Sequence, residues 1–414
     1  LGGDGAVKWE IKKLADCCVS IADGDHQPPP KAQKGIPFVT ISNITTANQF
    51  DFTNTMYVSE EYYNHLDSKR KPQRGDILYS VVGSFGIPVY IKETIPFVFQ
   101  RHIAVLRPNH TILPQFLYYT MLNRDFYLMA DAAAIGAAQR TVSLSALRNM
   151  KIAVPPINIQ EKIVYLLSAY DNLIENNQRQ IRLLEEVAQR LYKEWFVDLR
   201  FPGYGTTPVV DGLPEGWGQR SLGDVASVLK RGISPKYDDS GKYLVISQKC
   251  IRQSIMDIGE ARRESKEYAP ELNLQDKDTV ICSTGTGTLG RVGQVFGAYP
   301  DTTFDSHVTL VRTEQYQNFF YQAIKHQQDF LMSMGRGSTN QQELYRGVIE
   351  NLRILTPTQE ILNKAESLFS TIHDKITALN SQIGLLVEAR DRLLPKLMSG
   401  EVEVKSQRHK GVIP

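Results

Sequence analysis

The sequence predicts a mixed α/β (α+β) protein, with two repeated globular domains separated by two long antiparallel helices that form a coiled coil. Three observations lead there: an internal repeat, β-type runs in the front part of each copy, and a heptad seam in the back part. Trp9 with Leu14-Ala15-Asp16 recurs as Trp217 with Leu222-Gly223-Asp224, and Thr40-Ile41-Ser42 as Val245-Ile246-Ser247. Asp76–Ser80 running into Gly83-Ser84-Phe85-Gly86 answers to Asp278–Cys282 running into Gly287-Thr288-Leu289-Gly290. Phe99–Ile103 answers to Phe304–Val308, and Asn149–Pro155 to Asn351–Pro357. Five matches in one order mean a duplicated half of roughly 200 residues.

The front part of each half carries short apolar runs, Ile77–Val82 and Thr279–Ser283, between Gly, Pro and Asn turns. After Pro155-Pro156 the chain turns helical and is almost free of Gly and Pro from Gln160 to Phe196. Apolar residues there step by three and four: Leu167, Tyr170, Ile174, Ile181, Leu184, Ala188, Leu191 and Trp195, with Asn177 in the gap. After Pro357 the same seam reads Phe369, Ile372, Ile376, Leu379, Ile383, Leu386, Leu393 and Leu397, with Arg390 as the polar interruption. A globular helix seldom keeps so narrow a stripe for so long, and two equal seams satisfy each other by pairing. Asn177 is expected to face Leu or Ile, costing stability while setting register. The resulting division is 1–157 and 201–357 for the globular domains, 158–200 and 358–404 for the helices, and 405–414 for a tail.

Composition excludes several classes. A chain of 414 residues with 42% hydrophobic and 22% charged residues buries a core in each of two or three domains. The net charge of +2 is small, so any nucleic-acid surface must come from local clusters. No apolar run approaches membrane-spanning length, and Leu1-Gly2-Gly3-Asp4-Gly5 has no signal-peptide pattern. Cys17, Cys18, Cys250 and Cys282 form no C-x-x-C pair and read as reduced thiols of a cytoplasmic protein.

At this point the chain resembles the specificity subunit of type I restriction–modification systems, over nearly everything from Trp9 to Val404. The marks are Asp23-Gly24-Asp25-His26 with Pro28-Pro29-Pro30, Gly35–Phe38 with Ile41–Ile44, and Pro155-Pro156 with Gln160–Ile163. Further marks are Trp195-Phe196-Val197-Asp198 and Leu393-Leu394-Pro395-Lys396-Leu397-Met398-Ser399-Gly400. The resemblance implies two DNA target recognition domains, each reading half of a split site. It also implies spacer helices that set the gap and dock two methyltransferase subunits, with a motor-nuclease subunit joining for cleavage. S-adenosylmethionine, ATP and Mg would then belong to partner subunits, and this chain would hold no cofactor. The second half departs from the pattern, having Arg231-Gly232-Ile233-Ser234-Pro235 where the first has Asp-Gly-Asp-His and the prolines. The halves are therefore expected to read different bases, giving an asymmetric site.

No catalytic or metal-binding residue is expected. Gly285-Thr286-Gly287-Thr288-Leu289-Gly290 fits the dinucleotide fingerprint, but the alternating Arg291–Phe296 that follows reads as a strand where a helix is required. The P-loop and the Asn/Asp-Pro-Pro-Tyr/Phe tetrapeptide are absent; Asp257 with Glu264-Ser265-Lys266 fits a nuclease pattern only loosely. The histidines show no metal spacing, although His102 and His307 occupy matching repeat positions. Alternative readings are a nuclease with built-in recognition, which needs a carboxylate cluster, and a coiled-coil scaffold that does not bind DNA. DNA contact calls for Lys and Arg on phosphate, Arg on guanine, and Asn or Gln on adenine. In the first domain Lys31, Lys34, Lys69, Arg70, Lys71, Arg74, Arg101, His102, Gln139 and Arg140 qualify. In the second, Lys230, Arg231, Lys236, Lys249, Arg252, Arg262, Arg263, Arg291, Arg336, Asn340 and Gln341 qualify. Singly, each reads equally well as a solvated surface charge.

Overall fold

The structure is a computed structural model and describes residues 9–24, 29–45, 48–52, 55–137, 139–252, 255–256, 258–285, 287–335 and 342–402. The chain forms two compact units, one of residues Leu1–Leu173 with Leu385–Pro414, the other of Ile174–Gly384.

In the first unit, strands Cys18–Asp23, Ile103–Pro108, Ile77–Ser80 and Pro88–Tyr90 form an antiparallel sheet in that order. Strand Ile36–Val39 pairs antiparallel with Met56–Val58 and parallel with Val98–Phe99, and Glu10–Lys13 pairs with Lys151–Val154. Ile77–Ser80 is buried throughout because the sheet is covered on both faces. One face packs on helices Pro114–Leu122 and Arg124–Ala133 through Tyr79, Phe116 and Phe126; the other meets Val39, Phe97 and Phe99.

The second unit repeats this topology strand for strand. Its four-stranded sheet runs Ala226–Arg231, Val308–Thr313, Thr279–Cys282, Val292–Gln294; its three-stranded sheet runs Arg262–Glu264, Tyr243–Ile246, Thr302–Phe304. Register repeats as well: Ile77 lies opposite Leu106, and Thr279 opposite Val311. Each sheet carries the same internal ion pair. Arg107 donates to Asp76 through Nε (3.0 Å) and Nη2 (2.9 Å), and Arg312 to Asp278 through Nε (2.7 Å) and Nη2 (2.6 Å). The backbone N–H groups of Gln73 and Gln275 cap the same carboxylates, so each aspartate also closes the turn before its strand.

The long helices are Ile157–Tyr192, continued by a π turn Lys193–Val197, and Gln359–Met398. Within the first unit Leu167 packs with Leu394 and Leu397, while Asp171 accepts from Arg390 (2.8 Å). Within the second, Asn177 meets Gln382, Ile181 packs with Ile376 and Leu379, and Ala188 with Ala365 and Phe369. Rising numbers on one helix match falling numbers on the other, so the two run antiparallel within each unit. Around these contacts Ile174 is buried, and Tyr170, Leu184, Ile372, Ile383, Leu386 and Leu393 are partly buried.

Two details differ from the seam read off the sequence. Asn177 does not face only apolar groups: its amide donates to the Gln382 side chain at 3.2 Å, which replaces the expected penalty with a polar pair. At the far end the buried positions are Ala188, Tyr192 and Phe196, whereas Leu191 and Trp195 sit at the margin of the core. A 3.6-residue helix drifts past a 3.5-residue stripe. There it turns Tyr192 and Phe196 onto Phe319 and Trp217 of the globular core.

Candidate nucleic-acid interface

In the first unit three segments are laced at one end of the four-stranded sheet. Val81 donates its N–H to the His102 carbonyl (2.8 Å), Val142 to Val81 (2.8 Å), and Gly83 to Arg140 (2.9 Å). The turn Gly83–Gly86, the turn Arg101–His102 and the loop through Gln139-Arg140 thereby form one edge. Gly83 and Gly86 take φ of 71° and 96°, and a Cβ on Gly86 would lie 2.4 Å from the Tyr127 ring. Tyr127 stacks on Phe85; Arg140 lies 5.6 Å from that ring and pairs with Asp131. Burial and the neighbouring Arg101 lower the His102 pKa, leaving a neutral imidazole with one donor and one acceptor at pH 7. Arg70 reaches the same end through Asp23 (3.7 Å), the last residue of its strand. Lys69 is exposed beside it, and Lys71 binds the Asn64 carbonyl and lies 5.1 Å from the Tyr63 ring. Lys31 and Lys34 are exposed on the lead-in to Ile36–Val39, and Arg74 is exposed with its N–H on Thr94.

The second unit builds the corresponding edge from other side chains. Ser283 donates to the His307 carbonyl (2.7 Å), Leu344 to Ser283 (2.8 Å), and Thr284 bridges Glu343. Arg231 stands where the first unit has Asp23, and pairs with Glu343 and the Leu344 carbonyl (3.1 Å). Arg291 donates to Ile251 (2.7 Å) and Gly287 (3.1 Å) carbonyls, so it braces the Gly285–Gly290 turn. Lys230 pairs with Glu271 at 2.8 Å, Arg262 lies 3.7 Å over the Tyr237 ring, and Arg263 donates to Gly241. Lys236 and Lys249 are exposed. Arg252 lies on strand Ile251–Arg252, but its side chain, like all of Arg336, Asn340 and Gln341, is outside the described residues. Sequence reasoning missed the partners, because Glu343 and Glu271 come from distant segments and Asp131 from the last turn of the helix before the Arg140 loop.

The chemistry considered on sequence grounds finds little support in the geometry. Gly285, Gly287 and Gly290 all take positive φ in a turn between strands, and no helix follows to hold a pyrophosphate. The buried Glu264 carboxylate accepts the backbone N–H groups of Lys266 (2.9 Å) and Lys236, which hold it below the usual carboxylate range. It is therefore committed to the fold; Asp257 lies outside the described residues. Among the described residues no three His, Cys, Asp or Glu side chains gather as a metal site. Burial raises the thiols of Cys17, Cys18 and Cys282, the last two to about 12, which disfavours the nucleophilic thiolate. No helix among the described residues is long and apolar enough to cross a membrane.

Fold and surface together define a duplicated recognition protein, with one polar-edged α+β domain occurring twice, each packed on a stretch of paired helix. The family described as the type I restriction modification DNA specificity domain matches residues 6–186 and again 214–389, and the chain belongs to that family. It is 24% identical to the MjaIX specificity subunit of Methanocaldococcus jannaschii, over 96% of this chain and 94% of that one. It is 23% identical to the HindI specificity subunit of Haemophilus influenzae, over 88% of this chain and 95% of that one. Among solved structures, the S subunit from M. genitalium aligns with a TM-score of 0.49 at 16% identity, covering 96% of this chain and 98% of that one. The resemblance inferred from the sequence motifs is thus borne out.

Proposed function

We propose that this chain selects a bipartite, asymmetric DNA sequence for a type I restriction–modification complex, one recognition domain reading each half-site. The observation that carries this reading is a domain of the DNA-specificity family present twice with unlike edges. The first presents Asp23, Val82 and Thr141; the second presents Arg231, Thr284 and Glu343 at the equivalent places. Equal scaffolds with unequal hydrogen-bonding groups read unequal base edges. Under this reading the exposed lysines serve phosphate and position the domain, while the laced turns approach the bases. The helix pair docks two methyltransferase subunits, and a motor-nuclease subunit joins them in the cytoplasm. S-adenosylmethionine, ATP and Mg act on those partners. The test is a domain exchange: residues 205–355 are replaced by the equivalent segment of a relative, and the methylated motif is mapped. One half of the motif is expected to change and the other to persist; a change in both halves overturns the two-reader model.

A further inference from the structure

We propose that Gln248 is a base-reading residue of the second recognition domain and that it takes an adenine. Gln248 follows strand Tyr243–Ile246 and lies against the glycine turn: an atom at the Cβ position of Gly285 would be 3.6 Å from its Nε2. Its Oε1 is withdrawn from water and has no hydrogen-bond partner among the described residues. A buried acceptor left unbonded is unfavourable, so the free domain holds this amide in an unsatisfied state. Rotated onto an adenine, the carboxamide gains both of its bonds, accepting from N6–H and donating to N7.

The surroundings suit that use. Gly285 (φ +104°) lets the backbone come close, and Thr284 beside it bonds His307 Nδ1 and bridges Glu343, which pairs with Arg231. Amide, imidazole, carboxylate and guanidinium are the side chains that discriminate bases, and four separate segments bring them to one edge. The first domain supplies the contrast. Val39 and Ile246 hold the same place in the two sheets, pairing with Phe99 and Phe304. The position matching Gln248 is therefore Ile41, and Asn43 matches Cys250, a correction to the alignment of Thr40–Ser42 with Val245–Ser247. Asn43 Oδ1 accepts from the Thr40 N–H (2.9 Å) as Cys250 Sγ does from the Ser247 N–H (3.4 Å), and Asn43 Nδ2 donates to the Asp51 carbonyl (3.2 Å). Ile41 has no hydrogen-bonding side chain and Asn43 is consumed by its own turn, whereas Gln248 has an acceptor to offer.

The assignment rests on the recognition reading above, and the experiment separates the two. The chain, assembled with its methyltransferase partner, is given a library of randomised duplexes, and the methylated motif is determined. With Gln248→Ala, a single adenine-specified position in the half that follows residues 205–355 is expected to relax, discrimination there falling roughly 5- to 150-fold. Gln248→Met keeps the volume and removes both hydrogen bonds, so it must relax the same position. Gln248→Glu is expected to turn preference there toward cytosine, whose N4 donates. Asn43→Ala is expected to lower the thermal midpoint and leave the motif intact. A motif unchanged in both the alanine and methionine variants, or relaxed in the other half, overturns the assignment while leaving the two-reader model standing. A wild-type complex that methylates no bipartite motif overturns that model itself.

Discussion

At the scale of residues, the duplicated ion pair is a two-pronged contact inside each sheet. Asp278 is buried, and burial is the largest influence on its carboxyl, raising its pKa; the Arg312 guanidinium pulls the other way. Removing one partner leaves the other as an uncompensated buried charge. Arg312→Ala is therefore expected to cost about 3–5 kcal/mol in chemical denaturation, and the double change Asp278→Leu with Arg312→Met much less. A second group makes stability depend on pH. Glu185, on the first long helix, lines a cavity with Gln189, Gln322, Lys325 and Phe369, its Oε1 unpartnered, and burial pushes its carboxyl up to about 7 against the attraction of Lys325. A folded-state pKa above the unfolded value of 4.5 means that stability from this group is complete below 4.5 and is lost as pH rises through about 7. Lys325 has the opposite sign: burial lowers it to about 8, so its penalty grows as pH falls from 10.5 through 8. Glu185→Gln is expected to be neutral near pH 5 and stabilising at pH 8, by no more than about 3 kcal/mol. A variant equally stable with wild type across thermal melts from pH 5 to 8 would refute this.

At the scale of elements, each polar break in the heptad seam has a use. Asp171 accepts from both Arg390 and the Tyr119 hydroxyl (2.6 Å), tying the helix pair of the first unit to its globular part. The Asn177–Gln382 pair marks one register of the second, since a shift along the helix leaves the buried Asn177 amide without its partner. A full heptad keeps the seam in phase, whereas a four-residue insertion introduces a stutter. Matched heptads inserted near Asn177 and Leu379 lengthen each helix by about 10 Å, close to three base pairs at 3.4 Å each. The expected outcome in mapped methylation sites is an unread spacer longer by about three pairs, with both half-sites unchanged. Full activity with the original spacer would show that helix length does not set the distance.

At the scale of the whole molecule, Glu264 and the thiols serve the fold rather than chemistry. Glu264 is bound by backbone N–H groups, and the cysteines are buried or partly buried. The purified chain is expected to transfer no methyl group and to cut no DNA, with methyl transfer arising once a methyltransferase partner is supplied. Mg-dependent cleavage by the purified chain would favour the nuclease reading instead.

The duplication, the alternation of strand runs with a heptad seam, and the family motifs were legible in the sequence. Periodicity and order survive folding because each side chain must face either the core or water. Only the tertiary structure decided which polar groups remain available. Arg231, Arg291 and Arg140 read as free cations, yet each is engaged by a carboxylate or carbonyl from another segment. Arg312 and Arg107 went unnoticed although they hold the two sheets. The phase of the first helix near Tyr192 and Phe196 was likewise set by the aromatic core beneath it, Phe319 and Trp217. Local pattern specifies which way a side chain points. Its partner is specified by what the chain returns to that place from far along its length.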